Sequence, residues 1–314
     1  MGEEGLPARI LALRAGSALA YAPVEKTTAP GQVSLEEMKR LYRAGKLNVR
    51  TQVFGVVGNP IGHSLSPRMQ NAAFVSCKMN AVFLPFLVRE LRDFLNAIDP
   101  LGVRGFSVTI PYKQQIMRHL DECDPLAAEI GAVNTVKLRR GELHGYNTDY
   151  FGVLSALKAR IPLPGSRVLI LGSGGAARAV AFALARNGAT VYICSRRPER
   201  AKSLARAVGG ESIPRAPLRR EKFDLIVNAT PVGMFPDTNA SPLEAFELNC
   251  HLLFDIIYRP LKTKLMQLAG RRGIETVSGL EMFLAQGMAQ FEIWTGKSAP
   301  EAVMRSAILD ALKQ

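Results

Sequence analysis

The feature that most constrains this chain is a glycine-rich turn between a short apolar run and an alanine-rich helix. Residues 168–171 read as a buried strand, Gly172-Ser173-Gly174-Gly175-Ala176-Ala177 follows at once, and residues 176–186 read as a helix ended by Asn187-Gly188. The pattern is GxGxxA. Glycine at 172 permits the tight turn, glycine at 174 lets a pyrophosphate approach the backbone, and small Ala177 lets helix and strand pack closely. The helix start offers unpaired N–H groups and a positive dipole end to phosphates. Such a turn alone is weak evidence for a ligand. Here a strand precedes it, a helix follows, and a second strand comes at residues 191–194.

The end of that second strand selects the dinucleotide. A site for the non-phosphorylated ribose places Asp or Glu about 20 residues past the glycines. This chain has Ser195-Arg196-Arg197 there and Arg200 one turn on. Guanidinium groups bind a 2′-phosphate through charge-assisted, bidentate hydrogen bonds, whereas a carboxylate repels it. Cations that merely solvate a helix start oppose its dipole, which makes that alternative less natural. NADP is therefore the expected cofactor. The charge agrees: of a net +13, residues 165–220 hold ten Arg and one Lys against Glu199 and Glu211, a local +9. Such an excess beside a phosphate-binding turn suits a phosphorylated small ligand better than a polyanion. No RNA-binding signature, Cys/His finger or basic heptad accompanies it, so nucleic acid is the weaker reading.

The rest of the chain repeats the strand–helix rhythm. Strand runs at 225–229 and 252–257, with a helix at 261–270, continue a doubly wound parallel sheet. Before it, strand runs at 53–57, 82–88, 105–110 and 133–138 alternate with helical stretches at 67–77 and 91–98. Residues 151–160 look like a linking helix, and residues 280–313 are helical by composition. The chain reads as two α/β domains. No uncharged apolar run reaches about 18 residues, and Glu3, Glu4 and Arg14 argue against a secretory leader. Cys77, Cys123, Cys194 and Cys250 lie far apart with no CxxC pair, so no metal site is expected and a cytoplasmic, reducing compartment is.

Polar residues crowd the strand ends of the first α/β unit. The segments are GNPIGHSLSP (58–67), VTIPYK (108–113), GAVNT (131–135) and GYNTD (145–149). A pocket lined by hydroxyls, an amide, a lysine and a carboxylate suits a small polyhydroxylated substrate, because buried polar groups need partners. Hydride delivery to a ketone needs a proton donor beside the developing alkoxide, and a lysine with a pKa lowered by partial burial, oriented by a nearby aspartate, meets that need. His63, beside Ser64, reads as a structural hydrogen-bonding residue rather than a base.

Taken with GSGGAAR (172–178), NATPVGM (228–234), FDIIYRP (254–260) and SGLEMFLAQG (278–287), these segments resemble shikimate dehydrogenases, in family order over about residues 53–312. The resemblance implies NADP-linked, reversible reduction of 3-dehydroshikimate to shikimate in aromatic amino acid biosynthesis. It implies a substrate-binding catalytic domain (51–150), a Rossmann-type NADP-binding domain (151–280) and C-terminal helices (281–314) packing back on the first domain. By matching motif, Lys113 and Asp149 are the implied catalytic pair. Ser64, Ser66, Thr109, Asn134 and Gln286 are implied to bind substrate, with Tyr258 close by. Gly172, Gly174, Gly175 and Ala176 are implied to hold the pyrophosphate, and Ser195, Arg196 and Arg200 the 2′-phosphate. Thr230, Met234 and Gly279 are implied to lie near the nicotinamide. Family members favouring quinate often carry Thr at the position of Ser66, so the serine leans towards shikimate. The alternatives are a broad quinate/shikimate dehydrogenase and a catalytically silent NADP-binding sensor. A monomer or homodimer with a small-molecule substrate and no membrane partner is expected.

Residues 1–50 stand apart. Gly2–Gly5, Ala8-Arg9, Gly16-Ser17, Tyr21-Ala22 and Ala29–Gln32 resemble the C-terminal end of a type I 3-dehydroquinate dehydratase barrel. Arg9, Thr28 and Gln32 fall where that family's substrate-binding Arg, Ser and Gln stand, and Ala8 departs from its usual Ser. The segment bearing the Schiff-base lysine is missing, so dehydratase activity is expected to be absent, and the chain reads as a fragment of a bifunctional protein or as a reading frame begun at an internal methionine. Runs at 10–13 and 18–24 look strand-like, and a helix capped by Ser34 with Glu37 at the capping-box position follows. Two strands cannot close a barrel, so this region is expected to be poorly ordered or to pack opportunistically.

Overall fold

A computed structural model describes residues 2–24 and 31–313. The position of Thr28 lies outside the described residues. The chain divides into two compact units, one of Met1–Ala127, Val133–Tyr146 and Gly287–Gln314, the other of Ala128–Ala132 and Asn147–Gln286.

In chain order the first part holds α1 (Leu6–Arg14), α2 (Leu35–Arg40), β1 (Gln52–Gly58), α3 (Ser66–Ser76), β2 (Ala81–Leu87), α4 (Leu91–Leu101) and β3 (Val103–Val108). After these come β4 (Glu122–Cys123), α5 (Pro125–Ile130), β5 (Thr135–Arg139) and β6 (Glu142–Tyr146). The six strands form one mixed sheet in the order β2-β1-β3-β5-β6-β4. β1 runs parallel to β2 and β3, whereas β5 is antiparallel to both β3 and β6. All of β1 but its first residue is buried, as expected for a central strand covered on both faces.

The second part holds α6 (Asp149–Leu157), β7 (Arg167–Leu171), α7 (Gly175–Arg186), β8 (Thr190–Cys194), α8 (Pro198–Ala207), β9 (Glu211–Ser212), β10 (Phe223–Asn228), β11 (Cys250–Asp255), α9 (Lys264–Arg271) and β12 (Glu275–Ser278). Its sheet is all parallel, in the order β12-β11-β10-β7-β8-β9. Counted from β7 this is 3-2-1-4-5-6, the doubly wound order of dinucleotide-binding sheets. The order reverses between β7 and β10, so the glycine turn after β7 opens at the switch point.

Two helices close the chain, α10 (Leu280–Thr295) and α11 (Glu301–Leu312). From Gly287 onward they belong to the first unit, where α11 packs on α3 and the Trp294 ring lies 5.7 Å from both Phe54 and Phe83. The C-terminal helices thus pack back on the first domain.

The N-terminal region differs from its expectation. Residues 10–13 are not a strand but the second half of α1, because Pro7, Ile10 and Leu11 recur at helical spacing and bury one face, with proline in the first turn. Residues 18–24 adopt no strand, and Leu19, Tyr21 and Val24 are exposed. Of the two outcomes expected for its order, packing is the one that its described buried residues show. Ile10, Leu11, Val33, Met38 and Tyr42 join the core of the first unit with Val53, Val82 and Phe106. Arg14 Nε donates to the Thr51 carbonyl (2.8 Å). The cap on α2 forms as expected, with Ser34 Oγ accepting from Glu37 N at 3.1 Å.

Candidate active site

The second unit carries the nucleotide-binding half. Gly172 has φ +114°, and a Cβ there would lie 2.9 Å from the Ala229 carbonyl oxygen, so dihedral and space both demand glycine. Its N–H donates to the Cys194 carbonyl (2.8 Å), setting the turn against the end of β8. Gly174 is the N-cap of α7, with no side chain capping the helix, and a Cβ on it would project into open space. Gly175 and Ala176 form the first turn, leaving its N–H groups for an anion. Ser173 and Ser195 hydroxyls lie 2.9 Å apart, and Ser195 Oγ accepts from Arg197 N at 3.3 Å. Glu199 pairs with Lys202 (3.4 Å), so among the described residues Arg196, Arg197 and Arg200 have no carboxylate partner, and all three are exposed. An uncapped helix start, a glycine cradle and unpaired guanidinium groups fit a 2′-phosphorylated dinucleotide.

Across the switch point, the ends of β10, β11 and β12 carry Thr230, Tyr258 and Gly279. Thr230 Oγ1 donates to Asn228 Oδ1 (2.7 Å) and in turn accepts from Val232 N (3.2 Å), shaping the loop that leads to the partly exposed Met234. Gly279 N donates to the Ile257 carbonyl at 3.1 Å, and a Cβ there would fall 2.0 Å from the Ile256 carbonyl oxygen. The Tyr258 ring stacks on Phe283 with centroids 4.1 Å apart. Gln286 is buried, its amide donating to the Phe283 carbonyl (2.8 Å). Asp149 is buried in the first turn of α6 rather than on the preceding loop. The turn before it is held by Asn147, whose Nδ2 donates to the Ala132 carbonyl (2.7 Å).

The first unit gathers its own group of polar residues at the carboxyl ends of β1 and β3. Thr109 N donates to the Val57 carbonyl (2.9 Å) and Asn59 N to the Ile110 carbonyl (3.0 Å), which locks segments 58–67 and 108–113 together. Val108 N donates to the Asn134 carbonyl and Val133 N to the Lys113 carbonyl, both at 2.8 Å, adding Asn134 to the cluster. Ser64 Oγ accepts from Ser66 N (3.3 Å) where α3 begins. Ser66 and Asn134 are buried, Lys113, Thr109 and Ser64 are half-buried, and His63 is exposed. The structure therefore brings Ser64, Ser66, Thr109, Lys113 and Asn134 into one unit. Asp149, Tyr258 and Gln286 belong to the other.

Three residues of consequence escaped the sequence reading. Asn228 and Asp255, each fully buried, face each other at the ends of β10 and β11 with Nδ2 to Oδ1 at 3.0 Å. Burial pushes the Asp255 carboxyl up to about 6, against the lowering effect of hydrogen bonds from Thr263, Ile257 N and Asn228. The signal was present as a polar residue ending each apolar run. Arg178, last residue of GSGGAAR, donates from Nε to the Ile130 carbonyl, and burial lowers its pKa. It ties α7 to the end of α5 within the second unit.

The chain is similar to known proteins. The family model for the shikimate dehydrogenase substrate binding domain matches residues 56–136, and that for the shikimate 5′-dehydrogenase C-terminal domain matches 279–309. Residues 167–256 match NADP oxidoreductase coenzyme F420-dependent, and residues 1–48 match type I 3-dehydroquinase. A shikimate dehydrogenase (NADP(+)) from Moorella thermoacetica is 42% identical over 85% of this chain and 96% of its own length. The chloroplastic bifunctional 3-dehydroquinate dehydratase/shikimate dehydrogenase of Arabidopsis thaliana is 38% identical over 96% of this chain, which spans only 54% of that protein. The crystal structure of shikimate 5-dehydrogenase from Thermus thermophilus in complex with NADP(H) and shikimate superposes with a TM-score of 0.76 at 40% identity, covering 83% of this chain and 100% of that one. The chain belongs to the shikimate dehydrogenase family.

Proposed function

We propose that this chain is an NADP-dependent shikimate dehydrogenase, reversibly reducing 3-dehydroshikimate to shikimate. The observation that carries the reading is the cluster of hydroxyl, amide and ammonium groups at the carboxyl ends of β1 and β3. It sits in a chain whose other sheet opens a glycine turn beside unpaired arginines. When bound, the dinucleotide supplies or accepts the hydride. The chain's residues do the rest. Ser64, Ser66, Thr109, Asn134 and Gln286 bind ring hydroxyls and the carboxylate, beside the stacked Tyr258. Lys113 gives a proton to the developing alkoxide in reduction and takes it back in oxidation, with Asp149 compensating and orienting its charge. Gly172, Gly174, Gly175 and Ala176 receive the pyrophosphate, and Ser195, Arg196 and Arg200 the 2′-phosphate. Thr230, Met234 and Gly279 border the nicotinamide.

The corresponding division of labour is residues 51–150 for substrate, 151–280 for NADP and 281–314 as returning helices. For residues 1–50 we propose a structural part in the first unit rather than dehydratase chemistry, since Ile10 and Met38 lie in its core. All four cysteines are free thiols, in keeping with a reducing, cytoplasmic setting. The chain is read as a monomer or homodimer. The test is the initial rate of NADP⁺ reduction by shikimate, beside quinate and NAD⁺. Turnover confined to shikimate with NADP⁺ supports the whole reading. Equal rates with quinate or NAD⁺ would refute the specificity, and NADP binding without turnover would refute the catalytic assignment.

A further inference from the structure

We infer that Asn228 and Asp255 form a positioning pair that holds the nicotinamide-side loop in its binding shape, acting through Thr230. β10 and β11 are parallel neighbours whose last residues, Asn228 and Asp255, are in register, so their side chains meet where both strands end. Asn228 spends its amide in two directions. Its Nδ2 donates to Asp255 Oδ1 (3.0 Å), while its Oδ1 accepts from both Thr230 N (3.0 Å) and Thr230 Oγ1 (2.7 Å). The amide orientation is thereby fixed: a carboxylate accepts only, so the NH₂ must face Asp255 and the oxygen must face Thr230.

Asp255 anchors the pair from behind. Oδ1 also accepts from Ile257 N (3.2 Å), and Oδ2 accepts from Thr263 Oγ1 (2.7 Å). Thr263 in turn caps α9 by accepting from Met266 N at 3.2 Å. One buried carboxylate thus ties together the loop after β10, the backbone just before Tyr258 and the start of α9. The Ile257 carbonyl extends the chain of bonds to Gly279 N. Three segments bearing Thr230, Tyr258 and Gly279 therefore depend on a pair that is itself inaccessible to any ligand. A buried polar network of this kind is rigid only when every member is satisfied.

The inference rests on the proposed NADP site, and sheet order supplies a test that separates the two. The glycine turn and Arg196/Arg200 follow β7 and β8, while the pair lies at β10 and β11, on the other side of the switch point. Adenosine 2′,5′-bisphosphate, which carries only the adenosine half of NADP, probes the first region alone. Calorimetric titration should show Asn228→Ala binding NADPH about tenfold more weakly than wild type while its affinity for the bisphosphate stays within about twofold. Asp255→Asn keeps the side-chain volume and the Oδ1 acceptor but puts an NH₂ where Oδ2 accepted the Thr263 hydroxyl hydrogen, so that bond is lost. It should weaken NADPH about threefold, again sparing the bisphosphate, and it carries the test if the alanine variant does not fold. Parallel losses for both ligands, or unchanged NADPH affinity in a folded variant, would overturn the positioning role. Failure of the wild-type chain to bind the bisphosphate would instead overturn the cofactor reading on which it stands.

Discussion

The N-terminal region offers the sharpest test of how this chain is built. Ile10 is fully buried in a core shared with Val53, Val82 and Phe106, although it comes from a segment matching a different family. Ile10→Ala removes three carbons. At ~0.8 kcal/mol per buried carbon the transfer loss is ~2.4 kcal/mol, and a partly collapsed cavity brings the total to about 3–4 kcal/mol. With a urea dependence of about 2 kcal/mol per molar, the midpoint should fall by roughly 1.5–2 M. The chain has a single tryptophan, Trp294, buried in this same unit with its Nε1 donating to the Val136 carbonyl at 2.9 Å. Its fluorescence therefore reports the unit containing Ile10, whatever the other unit does. Leu19→Ser is the control, since Leu19 in the same region is 73% exposed and should change stability by less than about 0.5 kcal/mol. If Ile10→Ala leaves the tryptophan transition where it was, α1 is not part of that core and the packing argument fails.

Other perturbations address the site itself. Arg196→Ala with Arg200→Ala should raise KM for NADP⁺ by about 10–100-fold and change KM for NAD⁺ by less than about threefold, because only the former has a 2′-phosphate to lose. Steady-state kinetics with both coenzymes check this, and a proportional loss for both would count against the assignment. Lys113→Met should lower kcat by about 10²–10⁴-fold with the chain still folded by circular dichroism, as expected for removal of a proton donor. Asp255 sets a pH dependence. Its carboxyl moves from 3.8 unfolded to about 6 folded, so the folded state holds the proton more tightly. The stability this gives is complete below pH 3.8 and is lost as pH rises through 6. Denaturant titrations should therefore show wild type losing up to about 3 kcal/mol relative to Asp255→Asn between pH 4 and 7, and a gain over that range would contradict the sign.

The sequence was most legible where chemistry and local geometry coincide. The turn at Gly172 announces itself because one residue must satisfy a positive φ and a backbone contact together, and only glycine does. The strands at β1, β7, β10 and β11 are apolar runs that tertiary burial reinforces. Short strands were invisible for the opposite reason. Glu122–Cys123 and Glu211–Ser212 have two residues each, and β12 begins with an exposed glutamate, so partners rather than side chains make them strands. At the site, hydroxyls and cations at strand ends could be named from their type, but partner choice could not. The Asn228 amide acquires its direction only when β11 is placed beside β10 in register. Lys113 and Asp149 are named by motif and belong to different compact units of the chain.

The first fifty residues show why a family match and a fold need not say the same thing. Pro7, Ile10 and Leu11 form one apolar helical face, and α1 packs on β2 of the first unit. A nine-residue helix is unstable in water by itself, so its existence depends on that face being covered. Residues 10–13 form an apolar run, but Ile10 and Leu11 stand three and four residues from Pro7, which is helical spacing. Residues 18–24 are equally apolar but find no sheet edge and stay irregular, with Tyr21 85% exposed. Burial of one face thus accounts for both outcomes: α1 is helical because β2 covers it, and an equally apolar neighbour whose large side chains lie exposed forms no regular element. Replacing Leu11, packed in the same core, by Asp should therefore unfold α1 together with the tryptophan transition, whereas the same change at Tyr21 should leave both unmoved.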